Sequence, residues 1–508
     1  MKAYKIFSAS LALLLGWSGA AFAQDETDAL RYTRLGIQGT ARIQGIGGAQ
    51  SALGADISSM AVNPAGLGLF RRSEVSGSLG ISAFNTNASV VSSQDYNGTG
   101  INDSRSTFNI PQAGFVLSNR KDDSEGGDWR GTTLGLSLTR LNNFTSRTSY
   151  SGNTSDVGRS IIDYFAELAN NNGRTEQSLD AEYGDFMTLE GLAYGVYLFD
   201  IFEDEQGEFA APVDRVGQIN FSEETIRRGG QNQIDLGLGT SYKDRLYLGA
   251  SIGIVTSNYT QERFYRESES DNSTAFDNLV LRDEFTTTGA GINLKVGAIF
   301  RPVDALRLGV SVQAPTAYTF NETYSRSISA TFSDTGSETA AELPGEFSYR
   351  LTTPLRATGG VAFFLNKYGF ITADVEYVNY PGMRFAESDD YSSTDGYFSG
   401  VNSRIETTYR STVNLKVGAE ARYEVFRFRA GYAIAGDPYK NADFDGKINT
   451  FTLGTGIRLQ NFYVDAAYTS SDNMRSLYSP YSFNSGNSPV VDLNNKLTNV
   501  ILTVGYNF

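Results

Sequence analysis

Counting back from Phe508 in steps of two gives Tyr506, Val504, Leu502 and Val500, while the other parity gives Asn507, Gly505, Thr503, Ile501 and Asn499. One face of this segment is oily and the other mostly polar or small, the period-two signature of a strand. The same split sets Leu415, Val417, Ala419 and Ala421 against Asn414, Lys416, Gly418, Glu420 and Arg422. It recurs with Phe426, Phe428, Ala430 and Tyr432 against Arg427, Arg429 and Gly431, and with Leu453, Ile457 and Leu459 against Gly454, Gly456 and Arg458. Ile234, Leu236 and Leu238 oppose Asp235, Gly237 and Gly239 in the same way. A soluble sandwich also has one apolar face per strand, so alternation alone does not separate it from a lipid-facing barrel.

Connection lengths separate them better. Alternation predicts strands at 73–85, 105–119, 130–144, 230–243, 246–262, 284–300, 305–321, 350–366, 368–380, 408–423, 425–436, 447–460, 461–470 and 496–508, fourteen in all. Asp244-Arg245, Lys367, Glu424 and Gln460-Asn461 each make a minimal turn, whereas 263–283, 322–349, 381–407 and 471–495 are long and rich in Ser, Asn, Asp and Gly. Short turns at one end, long loops at the other and an even strand count predict an all-β fold, a transmembrane antiparallel β-barrel of about 14 strands.

Composition supports that class. The 508 residues include 53 Gly, 32 Phe and 29 Tyr, and no Cys or His. Disulfides, thiolate zinc sites and the usual general base are thereby excluded, and no metal or other cofactor is expected. The net charge of −15 argues against a nucleic-acid partner. Lys2 and Lys5 precede an apolar stretch from Ile6 to Trp17, and Ala21 and Ala23 stand at −3 and −1 before Gln24, the pattern of a signal peptide over 1–23. No later stretch approaches the roughly 18 consecutive apolar residues of a spanning helix, so any membrane crossing must be by strands.

Two regions depart from the strand pattern. Residues 24–72 are rich in small residues and contain Gly47-Gly48-Ala49, then Asp56, Ile57, Ser58 and Ser59, then Asn63-Pro64-Ala65-Gly66-Leu67. This run resembles the N-terminal signature of the FadL/TodX family of outer-membrane transport proteins. The resemblance implies a fourteen-stranded barrel, 73–508, plugged by an N-terminal hatch, 24–72. Independently of it, a barrel this wide cannot be filled by its own side chains, so its lumen holds a plug or water. Asn63 can bond locally and Pro64 fixes φ, giving a rigid reversal before Phe70. Asn63, Pro64, Ala65 and Phe70 are therefore the candidate gating residues, expected beside an apolar cavity, against the plainer reading of a simple turn. The second region, 145–229, is partly helical: over Asp156 to Asn170, Ile161, Ile162, Phe165 and Leu168 share one face, with Ser155 or Asp156 as cap. The family resemblance implies an outside hydrophobic groove there, and packing on the loop's own core is the equal alternative.

The search for catalytic chemistry yields little. Asp374 and Glu376 face the lumen together, as do Lys416 and Glu420, but inward charges more simply solvate a barrel interior. Asn441, Asp443, Asp445 and Gly446 open like a calcium loop, yet position twelve is Thr452 where a Glu is needed. The acidic run Glu203, Asp204, Glu205 and Glu208 reads as a solvated loop, and the glycines at 237, 239, 454 and 456 as relief of crowding or room for a bulge within strands. The chain is not expected to be an enzyme. The expected function is passive uptake of hydrophobic compounds such as long-chain fatty acids, the family's best-known cargo, across the outer membrane of a Gram-negative bacterium. The partners would be outer-membrane lipid and lipopolysaccharide, the barrel assembly machinery and a hydrophobic small molecule. The alternatives are a surface adhesin or structural barrel, or a general porin, which the segment 24–72 disfavours.

Overall fold

The computed structural model describes residues 25–508 except 122–126, 156–158, 271–273, 389–396, 442–444 and 485. The signal-peptide span, Asp156 and Asp443 therefore lie outside the described residues.

Fourteen antiparallel wall strands close a barrel: β1 (Glu74–Val90), β2 (Ile101–Asn109 and Gln112–Arg120), β3 (Trp129–Asn143 and Ser146–Thr154), β4 (Ile219–Tyr242), β5 (Leu246–Glu269), β6 (Phe276–Val303), β7 (Leu306–Gln313 and Ala317–Phe332), β8 (Gly345–Thr352 and Arg356–Phe364), β9 (Gly369–Val378 and Arg384–Glu387), β10 (Thr412–Tyr423), β11 (Phe426–Ala435), β12 (Ile448–Arg458), β13 (Phe462–Tyr478) and β14 (Val491–Asn507). The last strand pairs with the first from Glu74↔Asn507 to Val90↔Val491, so the sheet has no edge there. Closure satisfies the backbone groups that hydrocarbon could not.

The alternation reads as the sequence predicts. Val500, Leu502, Val504, Tyr506 and Phe508 are exposed on the outer surface, with Leu415, Val417, Phe426, Phe428, Leu453, Ile457, Ile234, Leu236 and Leu238, while Arg429, Asp465, Asp374 and Glu420 are buried within. Because Val417 is 49% exposed among apolar neighbours, Val417→Arg is expected to cost roughly 2–4 kcal/mol if it sits near the bilayer midplane. A charge swap at the neighbouring inward Lys416 should cost much less, and chemical unfolding of the two variants in vesicles compares them.

Wall height is uneven. β10, β11 and β12 have 12, 10 and 11 residues, enough for one bilayer crossing. β4, β5 and β6 have 24, 24 and 28 and so rise well beyond it. Much of the expected loop sequence is strand: Ser146–Thr154 and 219–229 extend β3 and β4, and 263–269, 276–283 and 322–332 extend β5, β6 and β7. Beyond the lipid both faces of a strand are polar or packed, so the apolar alternation that reveals a strand fades.

The breaks within strands also matter. Pro111, Pro315, Pro354 and Pro381 stand in the interruptions of β2, β7, β8 and β9, where a residue with no N–H cannot join the ladder. Across each break the parity of inward positions shifts by one. In β7, Leu308, Val310 and Val312 face out, yet Tyr318 and Phe320 above Pro315 are 3% and 0% exposed. In β8 and β9, Phe347, Tyr349, Leu351 and Phe385 turn inward in the same way.

The long connection after β3 carries α1 (Ile161–Asn171), α2 (Glu176–Asp180) and α3 (Leu189–Gly195) plus a hairpin of Phe199–Asp204 with Gly207–Pro212. The cap of α1 is Ser160, not Ser155 or Asp156, because the helix starts only at Ile161; the side chains of Ser160 and Asp163 form a capping box. A further helix, Tyr397–Thr408, stands between β9 and β10.

Candidate functional site

Residues 25–72 pack against the inner wall. Helix Glu26–Thr33 begins with a capping box from Asp25 and Asp28; short helices Ala41–Gln44 and Ser59–Val62 and a 3-10 turn Pro64–Leu69 follow. This N-terminal segment, termed the plug only for its position inside the wall, touches the wall backbone to backbone, and glycine makes that approach feasible. A β-carbon on Gly249 would run into Pro64, on Gly309 into Ser51, on Gly418 and Gly431 into Ile46, on Gly454 into Gly45 and on Gly239 into Leu67 and Gly68. Wall glycines on β4, β5, β7, β10, β11 and β12 thus form a girdle around the plug. At Gly237, Gly239 and Gly454 the neighbour that needs the space is the plug, whereas at Gly456 it is Asp465 of the adjacent wall strand, the crowding the sequence suggests.

Hydrogen bonds fix the plug's register. Asp374 on β9 accepts from the backbone N–H of Gln50 (2.8 Å) and Ser51 (2.9 Å) and from Ser51 Oγ (2.6 Å). Thr503 Oγ1 accepts from Ala41 N–H (2.8 Å), Thr452 Oγ1 from Gly47 N–H (3.0 Å), and Ser251 Oγ donates to the Met60 carbonyl (2.9 Å). Ion pairs reinforce one side: Arg42 lies between Asp56 (3.6 Å) and Glu420 (4.0 Å), and buried Arg429 bridges Glu420 and Asp465 at 2.7 Å each. Asp374 spends its carboxylate on the plug, so Asp374→Ala leaves two buried N–H groups unmet. Such groups cost ~1–3 kcal/mol each. Amide hydrogen exchange over residues 45–55 is expected to rise sharply in this variant with barrel insertion unchanged.

The predicted gating residues lie in the C-terminal turn of the plug, just before β1. Asn63 is 1% exposed; its Nδ2 donates to the Ser51 carbonyl (2.6 Å) and its Oδ1 accepts from Ala65 N–H (3.1 Å). Pro64 and Ala65 rest on Gly249. Phe70 packs with Ile57, Met60, Leu67 and Val116. The turn is therefore tightly packed on its own neighbours where the sequence suggested an adjoining apolar cavity. Ile161, Ile162, Phe165 and Leu168 come together as well, at 1%, 0%, 0% and 9% exposure. They sit in the outer cap's core with Tyr96, Phe221, Tyr265 and Tyr481, on the inner side of the cap and not on an open groove. Among the described residues no group of three or more Asp, Glu, His or Cys is arranged to hold a metal.

Sequence reasoning missed an aromatic cluster packed at the other end of the plug. Leu30 and Tyr32 of the first helix pack with Tyr259, Tyr318, Phe320, Phe347, Tyr349, Phe385 and Phe398. The rings form a ladder: Tyr32 to Phe320 is 4.5 Å between centroids, Phe320 to Tyr349 5.4 Å, Tyr349 to Phe385 5.6 Å and Phe385 to Phe398 5.8 Å. It runs from the outer helix Tyr397–Thr408 down to the plug. The same outer helix is tied to the plug's first helix by Arg404 Nε to Glu26 Oε2 (3.1 Å), with Tyr409 OH donating to the Glu26 carbonyl (2.9 Å). The signal that would have revealed the cluster is the set of strand prolines, whose parity shift turns these aromatics inward.

The wall beside the cluster has a seam. Gln112–Arg120 pairs with both β1 and β3, but Ile101–Asn109 pairs with β1 alone, and Ser146–Thr154 pairs with β4 and with Tyr96–Thr99. Among the described residues no strand pairing joins the upper halves of β2 and β3. Phe108 and Ile110 flank the seam on the outside, 65% and 46% exposed. Behind it β3 bends inward: Asn142 Nδ2 donates to the carbonyls of Arg31 (3.3 Å) and Arg34 (3.1 Å), and Phe144 meets Tyr32 edge-on at 6.0 Å.

Solved structures share this architecture. A FadL homologue of Pseudomonas aeruginosa aligns over 94% of this chain and 100% of its own, with TM-score 0.55 and 13% identity. The toluene transporter TodX of P. putida aligns over 93% and 99%, with TM-score 0.50 and 13% identity. No protein-family model and no curated protein matches the sequence. At such identity the likeness is one of fold.

Proposed function

We propose that this chain is an outer-membrane channel for passive uptake of hydrophobic compounds, long-chain fatty acids among them, with ligand captured at the outside loops and passed through a plug-gated barrel. The carrying observation is the aromatic cluster packed between the first helix and the wall. A water-filled porin needs a polar lumen, whereas here rings of β5, β7, β8 and β9 pack against the plug's first helix inside the wall. Neighbours of the same fold include a toluene transporter and a FadL homologue, which favours hydrophobic cargo without deciding between aromatic and acyl compounds.

Binding energy is the driving force. Each CH₂ leaving water contributes about 0.8 kcal/mol, so capture in a dry chamber is favourable and release needs a change in the protein. Glu26, Leu30 and Tyr32 put the plug's first helix in the ligand's way, and its displacement opens a chamber within the aromatic cluster. The seam between β2 and β3 offers an exit sideways into lipid past Phe108 and Ile110. The signal peptide would direct export, and the aromatic end at Phe508 would engage the barrel assembly machinery.

The test compares radiolabelled fatty-acid and toluene uptake with small-sugar leakage in cells with and without the protein. Saturable hydrophobic uptake without sugar leakage is the expected result. Absence of uptake for every hydrophobic ligand, with surface binding lost when the outer loops are trimmed, would establish the adhesin alternative instead.

A further inference from the structure

We infer that the Tyr32 side chain fills a subsite shaped for an aromatic ring carrying one uncharged hydroxyl, so that phenol-like ligands compete with the plug's own tyrosine. This rests on the uptake reading for its biological use, but not for its binding chemistry.

Tyr32 is 1% exposed and sits among rings, 4.5 Å from Phe320 and 6.0 Å from Phe144, which in turn meets Tyr259 at 5.5 Å. Phe320 fits because Gly289 across the strand pair has no side chain; a β-carbon there would strike the Phe320 ring. The apolar part of the slot is thus built by the wall and exists whether or not Tyr32 is in it. The polar part is unfinished. Tyr32 Oη turns toward Thr287 Oγ1 without completing a well-aligned hydrogen bond to it, and Tyr349 Oη is likewise left without a well-aligned partner among the described residues. Buried hydroxyls are normally paired, since an unmet one forfeits its bond to water. Three in one aromatic cluster point to a group that is exchanged in use.

When the first helix leaves, Tyr32 carries its ring and hydroxyl away. Phe144, Tyr259, Phe320 and Tyr349 then wall a ring-sized space with the Thr287 and Tyr349 hydroxyls left to be satisfied. A ligand hydroxyl can donate to one and accept from the other. Plain toluene satisfies neither. A benzoate anion would enter a chamber that already holds Glu322 and Asp28 and whose nearby cation, Arg31, is paired with Asp28.

The experiment measures binding of phenol, toluene and benzoate to the purified full chain in detergent by titration calorimetry. Tyr32→Ala is expected to bind phenol at least about tenfold more tightly than the unaltered protein does, and about tenfold more tightly than it binds toluene or benzoate. Adding Thr287→Val should erase the phenol preference. Equal phenol affinity with and without Tyr32→Ala, or toluene bound as well as phenol by that variant, would overturn the assignment. Tyr32→Phe guards against misfolding: its thermal midpoint should match or exceed that of the unaltered protein, and a fall would show that the hydroxyl has a structural partner and sink the proposal. Phenol selectivity in the purified protein together with no uptake in cells would remove the transport reading and leave the subsite standing.

Discussion

A chain lacking residues 25–60 is expected to insert as a barrel, to leak small sugars, and to lose saturable uptake of any hydrophobic ligand. The wall does not depend on the plug for its backbone hydrogen bonds, since apart from the seam between the upper halves of β2 and β3 every strand is paired with wall neighbours on both sides and β14 closes onto β1. What the deletion exposes inside is mostly polar: Asp374, Thr452, Ser251 and the Glu420, Arg429 and Asp465 cluster. Water can solvate these groups, so an emptied lumen becomes a hydrophilic passage. The same deletion removes Leu30 and Tyr32, and with them part of the aromatic cluster. Planar-bilayer conductance reads the leak, heat-modifiable mobility reads insertion and labelled-ligand uptake reads function. A barrel that fails to insert would show the segment to be a folding core and not a gate. An inserted barrel that neither leaks nor loses uptake would remove the plug from the mechanism altogether.

The membrane-crossing part of this architecture is legible because lipid on one side and polar plug on the other impose period two on every strand. Val417 and Lys416 illustrate it: adjacent residues, opposite solvents, opposite chemistry. Strand number and closure follow from that pattern together with turns as short as Lys367 and Glu424. Above the lipid the rule reverses or disappears. Tyr318 and Phe320 would be assigned to the lipid side by extrapolating from Val310 and Val312, yet they face inward because Pro315 forces an irregular residue into β7. The helix Tyr397–Thr408 was hidden for another reason. Its apolar face is only Phe398, Val401 and Ile405 in a polar segment, a stripe too thin to stand out from a loop. As for the site, the turn at Asn63-Pro64 was legible as rigid, since Asn caps its own turn and Pro fixes φ. That it closes on Ser51, 12 residues back from Asn63, and on Gly249 of β5, away from the aromatic cluster, depends on tertiary contacts that local sequence does not encode.

The plug's fit gives a second large effect, testable at neighbouring positions. Gly309 on β7 pairs with Gly360 on β8, and Val310 pairs with Gly359. The first pair faces the plug beneath Ser51; the second faces lipid. A β-carbon at Gly309 would run into the Ser51 carbonyl and Ala52 Cα, which are backbone and cannot rotate aside, whereas one at Gly359 meets nothing within 4 Å. Gly309→Val is therefore expected to lift the plug locally. Overpacking of this kind costs typically ~1–3 kcal/mol, and here the displaced segment carries the Gln50 and Ser51 N–H groups off Asp374, adding their unmet bonds to the cost. Gly359→Val, a β-branched residue on a lipid-facing strand, should change stability by no more than about 0.5 kcal/mol. Conductance separates the two: leak from Gly309→Val with a silent Gly359→Val means that plug seating, and not strand composition, holds the channel shut. Equal behaviour of the two variants would mean that the glycine girdle is not what seats the plug.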